Sequence, residues 1–406
     1  MRWLIRVVLG LLLLAIVAAG SLFALYEANK IAISDLEKSS LVDGRTAEGA
    51  SIDAVARAAD RLEQLRRETG YPAVSIAVAV DGAVVWQEAR GWASLESKAP
   101  AKIDTPFAIG SVSKTLTAAV AMKLAERGVL DLDADIRKYL PFFPQKEHVI
   151  TARQLLSHQA GVRHYKFALS PPTFSEFGAT EQYDRVVDSL KVFANDPLLF
   201  KPDTDFSYSS YGFNLLSAVV EAAASKPFLE VMQAELFTPL QLVATGPDDK
   251  RRPAPGRASD YMNMLRDGTV LPAPFTNSSG KWAGGGFRAT PTDLARFGAA
   301  LLQGEIIAPQ TLQTMFTPRT LSNGKVNRQN YGLGVRIDQI TKAAHPGKTW
   351  RAVHHGGVAV GSQAMLVMLP DQKIVVALSA NATTQPPGRG MFGAATDIAV
   401  LFAERR

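Results

Sequence analysis

The sequence predicts an α/β (α+β) fold in which one antiparallel sheet, assembled from both ends of the chain, is flanked by helices and interrupted by an inserted, mainly helical region. Two observations carry this. "PAVSIAVAV" (72–80) and "AVVWQEARG" (83–91) alternate around Asp81-Gly82, and a second pair, "SQAMLVMLP" and "KIVVALSAN", flanks Asp371-Gln372 near the other end; each is a hairpin signal. Between them, from about 131 to 280, the pattern is helical, with Pro-rich loops at 252–255 and 272–274.

The elements follow in chain order. Residues 7–26, "VVLGLLLLAIVAAGSLFALY", form an uncharged run of bilayer-crossing length behind Arg2 and Arg6. Residues 1–26 are therefore expected to be a membrane anchor, with a signal sequence cleaved after Ala19 as the rival reading and the bulk of the chain outside the cytoplasm. Residues 27–50, with Glu27, Lys30, Asp35, Glu37 and Lys38, read as a polar tether, and one domain over 51–406 follows. Its first helix, 51–70, is capped by Ser51, places Ile52, Val55, Ala59 and Leu62 on one face and stops at Gly70. Further helices are expected near 151–158, 211–224 and 227–237, behind a Thr290 cap with Pro291 and Asp293 in the first turn, and over 391–404.

Composition narrows the function. The 406 residues, 47% hydrophobic and 20% charged, suffice for a substantial core. With no cysteine there is no disulfide, thiolate metal site or thiol nucleophile. A net charge of +6 without a dense basic run gives no support to a nucleic-acid partner. None of the six histidines forms a His-Glu-x-x-His pair, and "GGG" at 284–286 is not followed by Gly-Lys-Ser/Thr, so neither metal nor cofactor is expected. His158 and His164 read as hydrogen-bonding within their own loop, "SHQAGVRHY". The absence of Gly-x-Ser-x-Gly argues against a Ser-His-Asp hydrolase of the elbow type.

Ser-x-x-Lys occurs three times, at Ser111/Lys114, Ser278/Lys281 and Ser322/Lys325, and only the first opens a long helical pattern. On a helix, i and i+3 lie one turn apart on one face, so the lysine amine reaches the serine oxygen. Burial and the positive helix end both lower the lysine pKa, and a neutral amine can take the serine proton. The helix start also leaves the Ser111 N–H available to an oxyanion.

"FAIGSVSKTLTA" (107–118), "FSYSSYGFNLL" (206–216) and "HHGG" (354–357) resemble, in order and separation, the three motifs of the serine beta-lactamase-like hydrolases, which include class C beta-lactamases, D-Ala-D-Ala peptidases and esterases. The resemblance covers roughly 55–404. It implies a beta-lactamase/transpeptidase-like fold, Ser111 as nucleophile, Lys114 and Tyr208 sharing acid/base duty, and Ser210 contacting substrate or Lys114. His354 and Gly356 would form a His-x-Gly wall, with the Gly357 N–H completing an oxyanion hole. Ser210 replaces the usual asparagine and His354 the usual lysine, and a largely neutral histidine suits a substrate carboxylate poorly. The expectation is a membrane-tethered serine hydrolase acting through an acyl-enzyme on ester or peptide bonds of a small molecule or peptide, rather than an efficient beta-lactamase. A non-catalytic binding or assembly protein on the same scaffold is the alternative.

Overall fold

The computed structural model describes residues 2–32, 41–166, 175–263, 268–384, 386, 388 and 390–404; within the first helix, side chains are described at 12, 16–21 and 23–29. The chain begins with α1 (Arg2–Asn29), β1 (Ile31–Ala32), β2 (Val42–Thr46) and α2 (Ile52–Thr69). The hairpin β3 (Ala73–Val80) and β4 (Ala83–Ser94) and the short strands β5 (Ala99–Pro100) and β6 (Phe107–Ala108) lead into α3 (Ser113–Glu126). The central region holds α4 (Ala152–Leu156), α5 (Ser210–Ala224) and α6 (Phe228–Met232), then β7 (Gly246–Pro247), β8 (Tyr261–Asn263), β9 (Thr269–Pro272), the single turn α7 (Trp282–Gly285) and β10 (Phe287–Ala289). Helices α8 (Pro291–Gln303) and α9 (Pro309–Met315) precede β11 (Arg336–Thr341), β12 (Thr349–Ala359), β13 (Ser362–Leu369), β14 (Ile374–Ala380), β15 (Ala382–Thr384) and α10 (Met391–Ala403).

The main sheet runs β11-β12-β13-β14-β3-β4-β2, each neighbour antiparallel. Both ends of the chain thus build it, joined where β14 pairs with β3. Asp81 and Gly82 take positive φ at the tip of the first hairpin, as a tight two-residue turn requires. The strands are apolar on both faces because helices cover both. Ile76, Val78, Val367 and Val376 face α2 and α10, whereas Ala77, Ala79, Leu366 and Val375 join the core that includes Leu116 of α3 and Leu294 of α8.

Local signals set the helix ends. Ser51 Oγ accepts the Ala54 N–H and Gly70 closes α2 in the left-handed region; Thr290 Oγ1 accepts the Asp293 N–H with Pro291 at the first position of α8. The buried stripe of α2 is Ala54, Ala58, Leu62 and Leu65, with Val55 and Ala59 beside it. Ile52, expected on that face, is 84% exposed, because at 3.6 residues per turn it falls on the far side of the helix from Ala54, Ala58, Leu62 and Leu65.

The membrane anchor, the membrane partner and the location outside the cytoplasm that followed from it are corrected. Among the described residues no helix is long and apolar enough to cross a membrane. The C-terminal end of α1 instead docks on the body of the protein. Tyr26 Oη bonds Thr269 Oγ1 at 2.6 Å, and Ile31 and Ala32 continue as a strand against β9. In the stretch read as a tether, β1 and β2 are built into sheets, β2 pairing along β4 from Val42 to Thr46; residues 33–40 lie outside the described residues.

Candidate active site

Gly110, Ser111 and Val112 form a 3-10 turn that feeds directly into α3. Gly110 has φ +49, and a Cβ there would lie 2.6 Å from the Val358 backbone, so only glycine lets this turn press against β12. One turn on, Lys114 is fully buried in a helix whose neighbours Thr115 to Met122 are buried too. Its Nζ lies 3.1 Å from Ser111 Oγ and 2.9 Å from Ser210 Oγ and donates to the Gly284 carbonyl. Burial holds its pKa well below the ordinary lysine value.

Helix α5 brings the second group. Ser209 Oγ caps it by accepting the Gly212 N–H, which fixes Ser210 over Lys114 and Tyr208 just outside the helix. The Tyr208 ring stands 4.9 Å from the Lys114 amine. Burial pushes its phenol up to about 12, opposed by a side-chain hydrogen bond with Ser111, so Tyr208 carries its proton at neutral pH.

The third group is set by strand register. Trp350 and Ala352 pack toward α10 and Val353 toward α3; by alternation His354 and Gly356 point to the α10 face, and His355 and Gly357 to the α3 face. The contacts agree. His354 Nε2 donates to Asp338 Oδ2 at 2.8 Å and its ring packs, tilted, against Phe392 of α10 with centres 4.3 Å apart. His355 lies 6.2 Å from the Tyr208 ring, centre to centre. A Cβ at Gly357 would sit 3.0 Å from Ser111 N, whereas one at Gly356 would meet Met365. His355 Nδ1 donates to the Gly356 carbonyl at 2.7 Å, so Nε2 is the acceptor for Tyr331 Oη at 2.9 Å. Burial holds this imidazole neutral, well below its ordinary value.

The same register locates the free backbone. Ala359 pairs with Ser362 across the Val360-Gly361 turn, so the N–H groups of His355, Gly357 and Ala359 point toward β13. Those of Gly356 and Val358 point the other way, past the end of β11, whose last partner on β12 is His354. The structure therefore brings together Ser111, Lys114, Tyr208, Ser210 and Gly357. It does not bring His354 and Gly356 to them, and it turns the Gly357 N–H into the sheet.

Sequence reasoning missed His355, Val358, Tyr331 and the carbonyl of Gly284. It also gave His158 and His164 partners in their own loop, whereas they accept from Ser209 N and Ser210 N, each at 3.1 Å. Beside the site, Tyr165, Glu176, Tyr183, Tyr211, Asn214 and Lys281 line a cavity of about 270 Å³.

A buried lysine one turn from a helix-start serine, on an antiparallel sheet flanked by helices, defines a serine hydrolase. The chain belongs to the beta-lactamase family, whose model matches residues 58–399. It is 30% identical over 417 residues to the serine beta-lactamase-like protein LACTB, mitochondrial, of Bos taurus, covering 82% of this chain and 74% of that protein. It is 26% identical over 312 residues to penicillin-binding protein 4* of Bacillus subtilis (strain 168), covering 74% of this chain and 66% of that one. Among solved structures, D-amino acid amidase from Ochrobactrum anthropi SV3 superposes with a TM-score of 0.72 at 20% identity, over 87% of this chain and 100% of that one, a likeness of fold.

Proposed function

We propose that the protein hydrolyses ester or amide bonds through an acyl-enzyme on Ser111, with Lys114 as general base and Tyr208 as proton relay. One observation carries the reading: the Lys114 amine is fully buried, 3.1 Å from Ser111 Oγ, and its hydrogen-bond partners are Ser111, Ser210 and Gly284, all uncharged. A neutral amine donates its two hydrogens to Ser210 Oγ and Gly284 O and turns its lone pair to the Ser111 hydroxyl. Attack on the carbonyl places the serine proton on Lys114. Tyr208, protonated and hydrogen-bonded to Ser111, passes a proton to the departing alcohol or amine and recovers one through Lys114. The developing oxyanion takes the N–H of Ser111 and the free N–H of Val358. Water then repeats the sequence on the acyl-serine.

The imidazole facing this site, His355, is neutral and already accepts from Tyr331. It supplies no fixed cation for a substrate carboxylate, which favours simple esters and amides over beta-lactams. The test is labelling by a fluorophosphonate probe with Ser111→Ala as control, followed by turnover of a short acyl ester and of a chromogenic beta-lactam. Serine-dependent labelling with faster ester turnover is expected. Efficient beta-lactam turnover with an inert ester would overturn the substrate preference, and no labelling would overturn the mechanism.

A further inference from the structure

Beneath the site lie two imidazoles that the proton transfers do not use. His158 follows α4 at φ +60, where the left-handed backbone ends the helix and turns the ring inward. The ring is buried against Phe206, Tyr208, Phe213 and Tyr331, with its centre 4.4 Å from that of Tyr208. Its carbonyl accepts the Ser207 N–H at 3.0 Å and its Nδ1 the Ser209 N–H at 3.1 Å. His164 lies edge-on to Tyr208 at 5.6 Å, and its Nδ1 accepts the Ser210 N–H at 3.1 Å.

We propose that His158 and His164 are positioning residues for Tyr208: their imidazoles hold the Ser209 and Ser210 N–H groups that follow it, the His158 carbonyl holds the Ser207 N–H before it, and both rings pack against the phenol. This rests on the reading of Tyr208 as the proton relay. The N–H groups of Ser207, Ser209 and Ser210, flanking Tyr208 where the chain enters α5, would otherwise be orphaned. Acceptance at Nδ1 requires the ring proton on Nε2. In His158 that Nε2 is buried with no hydrogen-bond partner among the described residues. A buried donor left unmet in this way is the cost of presenting Nδ1 to Ser209.

A charged ring would set N–H against N–H, and the surroundings oppose it. Burial first, then Lys114, His355, His164 and Arg336, hold His158 well below its ordinary value. Burial, Lys114 and Arg163, opposed by Glu176, bring His164 down to about 4. The phenols of Tyr165, Tyr208 and Tyr331 complete the groups facing the two rings.

The experiment measures kcat and KM for a short acyl ester with the full chain carrying His158→Leu, His158→Asn, His164→Leu or His164→Asn, and Tyr208→Phe as reference. Asparagine places an acceptor oxygen at the δ position, tolerates a left-handed backbone and does not titrate. The leucine variants are expected to lose about 30-fold or more in kcat with KM changed by less than about threefold, and the asparagine variants to recover to within about fivefold of wild type. Thermal unfolding establishes that each is folded; should His158→Leu fail to fold, the less deeply buried His164 pair decides. Leucine variants at the wild-type rate while Tyr208→Phe is slow would overturn the positioning role alone. Asparagine variants as slow as leucine would overturn it as well, and Tyr208→Phe at the wild-type rate would overturn the relay reading together with it.

Discussion

Replacing Gly357 by alanine tests the register of β12 against the nucleophile. A Cβ at 357 would lie 1.9 Å from the Ile109 carbonyl oxygen, 2.9 Å from its carbon and 3.0 Å from Ser111 N. All three are backbone atoms, so no side chain can rotate away. To restore an ordinary contact of 3.4 Å, the strand and the Ile109–Ser111 turn must separate by about 1.5 Å. A displacement of about 1 Å at reacting groups costs on the order of 100-fold, so kcat for ester hydrolysis should fall at least about 100-fold, with about 1–3 kcal/mol lost from stability through overpacking. Gly356→Ala is the control. Its Cβ would meet Met365 Cε at 3.0 Å, the far end of a flexible side chain on the other face, and kcat should stay within about threefold. Steady-state kinetics and thermal unfolding on both variants decide the matter. An active Gly357→Ala beside an inactive Gly356→Ala would refute the assignment of faces.

Two further outcomes follow from the buried groups. Lys114→Met should lower kcat by about 10²- to 10⁴-fold. Because burial depresses the Lys114 pKa, the folded state binds fewer protons than the unfolded one and wild-type stability gains with rising pH up to the lysine value of about 10.4. The Tm of Lys114→Met relative to wild type should therefore be most favourable near neutrality and decline toward about pH 10; a flat difference would show that the amine is charged in the fold. Tyr331→Phe removes the donor to the buried His355 Nε2, and urea unfolding should show a loss of about 1–3 kcal/mol. An unchanged midpoint would argue that Nε2 does not depend on this phenol.

What the sequence made legible, and what it did not, divides along physical lines. Ser111 and Lys114 stood out because they sit one turn apart at the start of a helix whose own pattern announces burial. Hairpins at Asp81-Gly82 and Asp371-Gln372 and the caps at Ser51 and Thr290 are local chemistry, and local chemistry is written in adjacent residues. The facing of β12 is not. From Ala352 to His355 every residue is buried, so no polar face marks which histidine meets the nucleophile. His158 and His164 failed for a related reason, since their partners Ser209 and Ser210 lie 51 and 46 residues further along the chain. In α2 the periodicity was read correctly, but a stripe one residue off placed Ile52 inside.

The pairing of β14 with β3 joins Ile374 to Val80 and Ala380 to Val74. During synthesis, β3 waits beside β4 with its other edge unmet until some 300 residues more have been made, about 15–60 s at about 5–20 residues per second. An apolar strand with an open edge is a template for pairing with other chains, so nascent or truncated forms ending before 374 should aggregate or recruit chaperones. The same delay keeps the serine idle. Ser111 is translated early, but β12 reaches it only when the sheet closes, so the site is completed long after its nucleophile has been made.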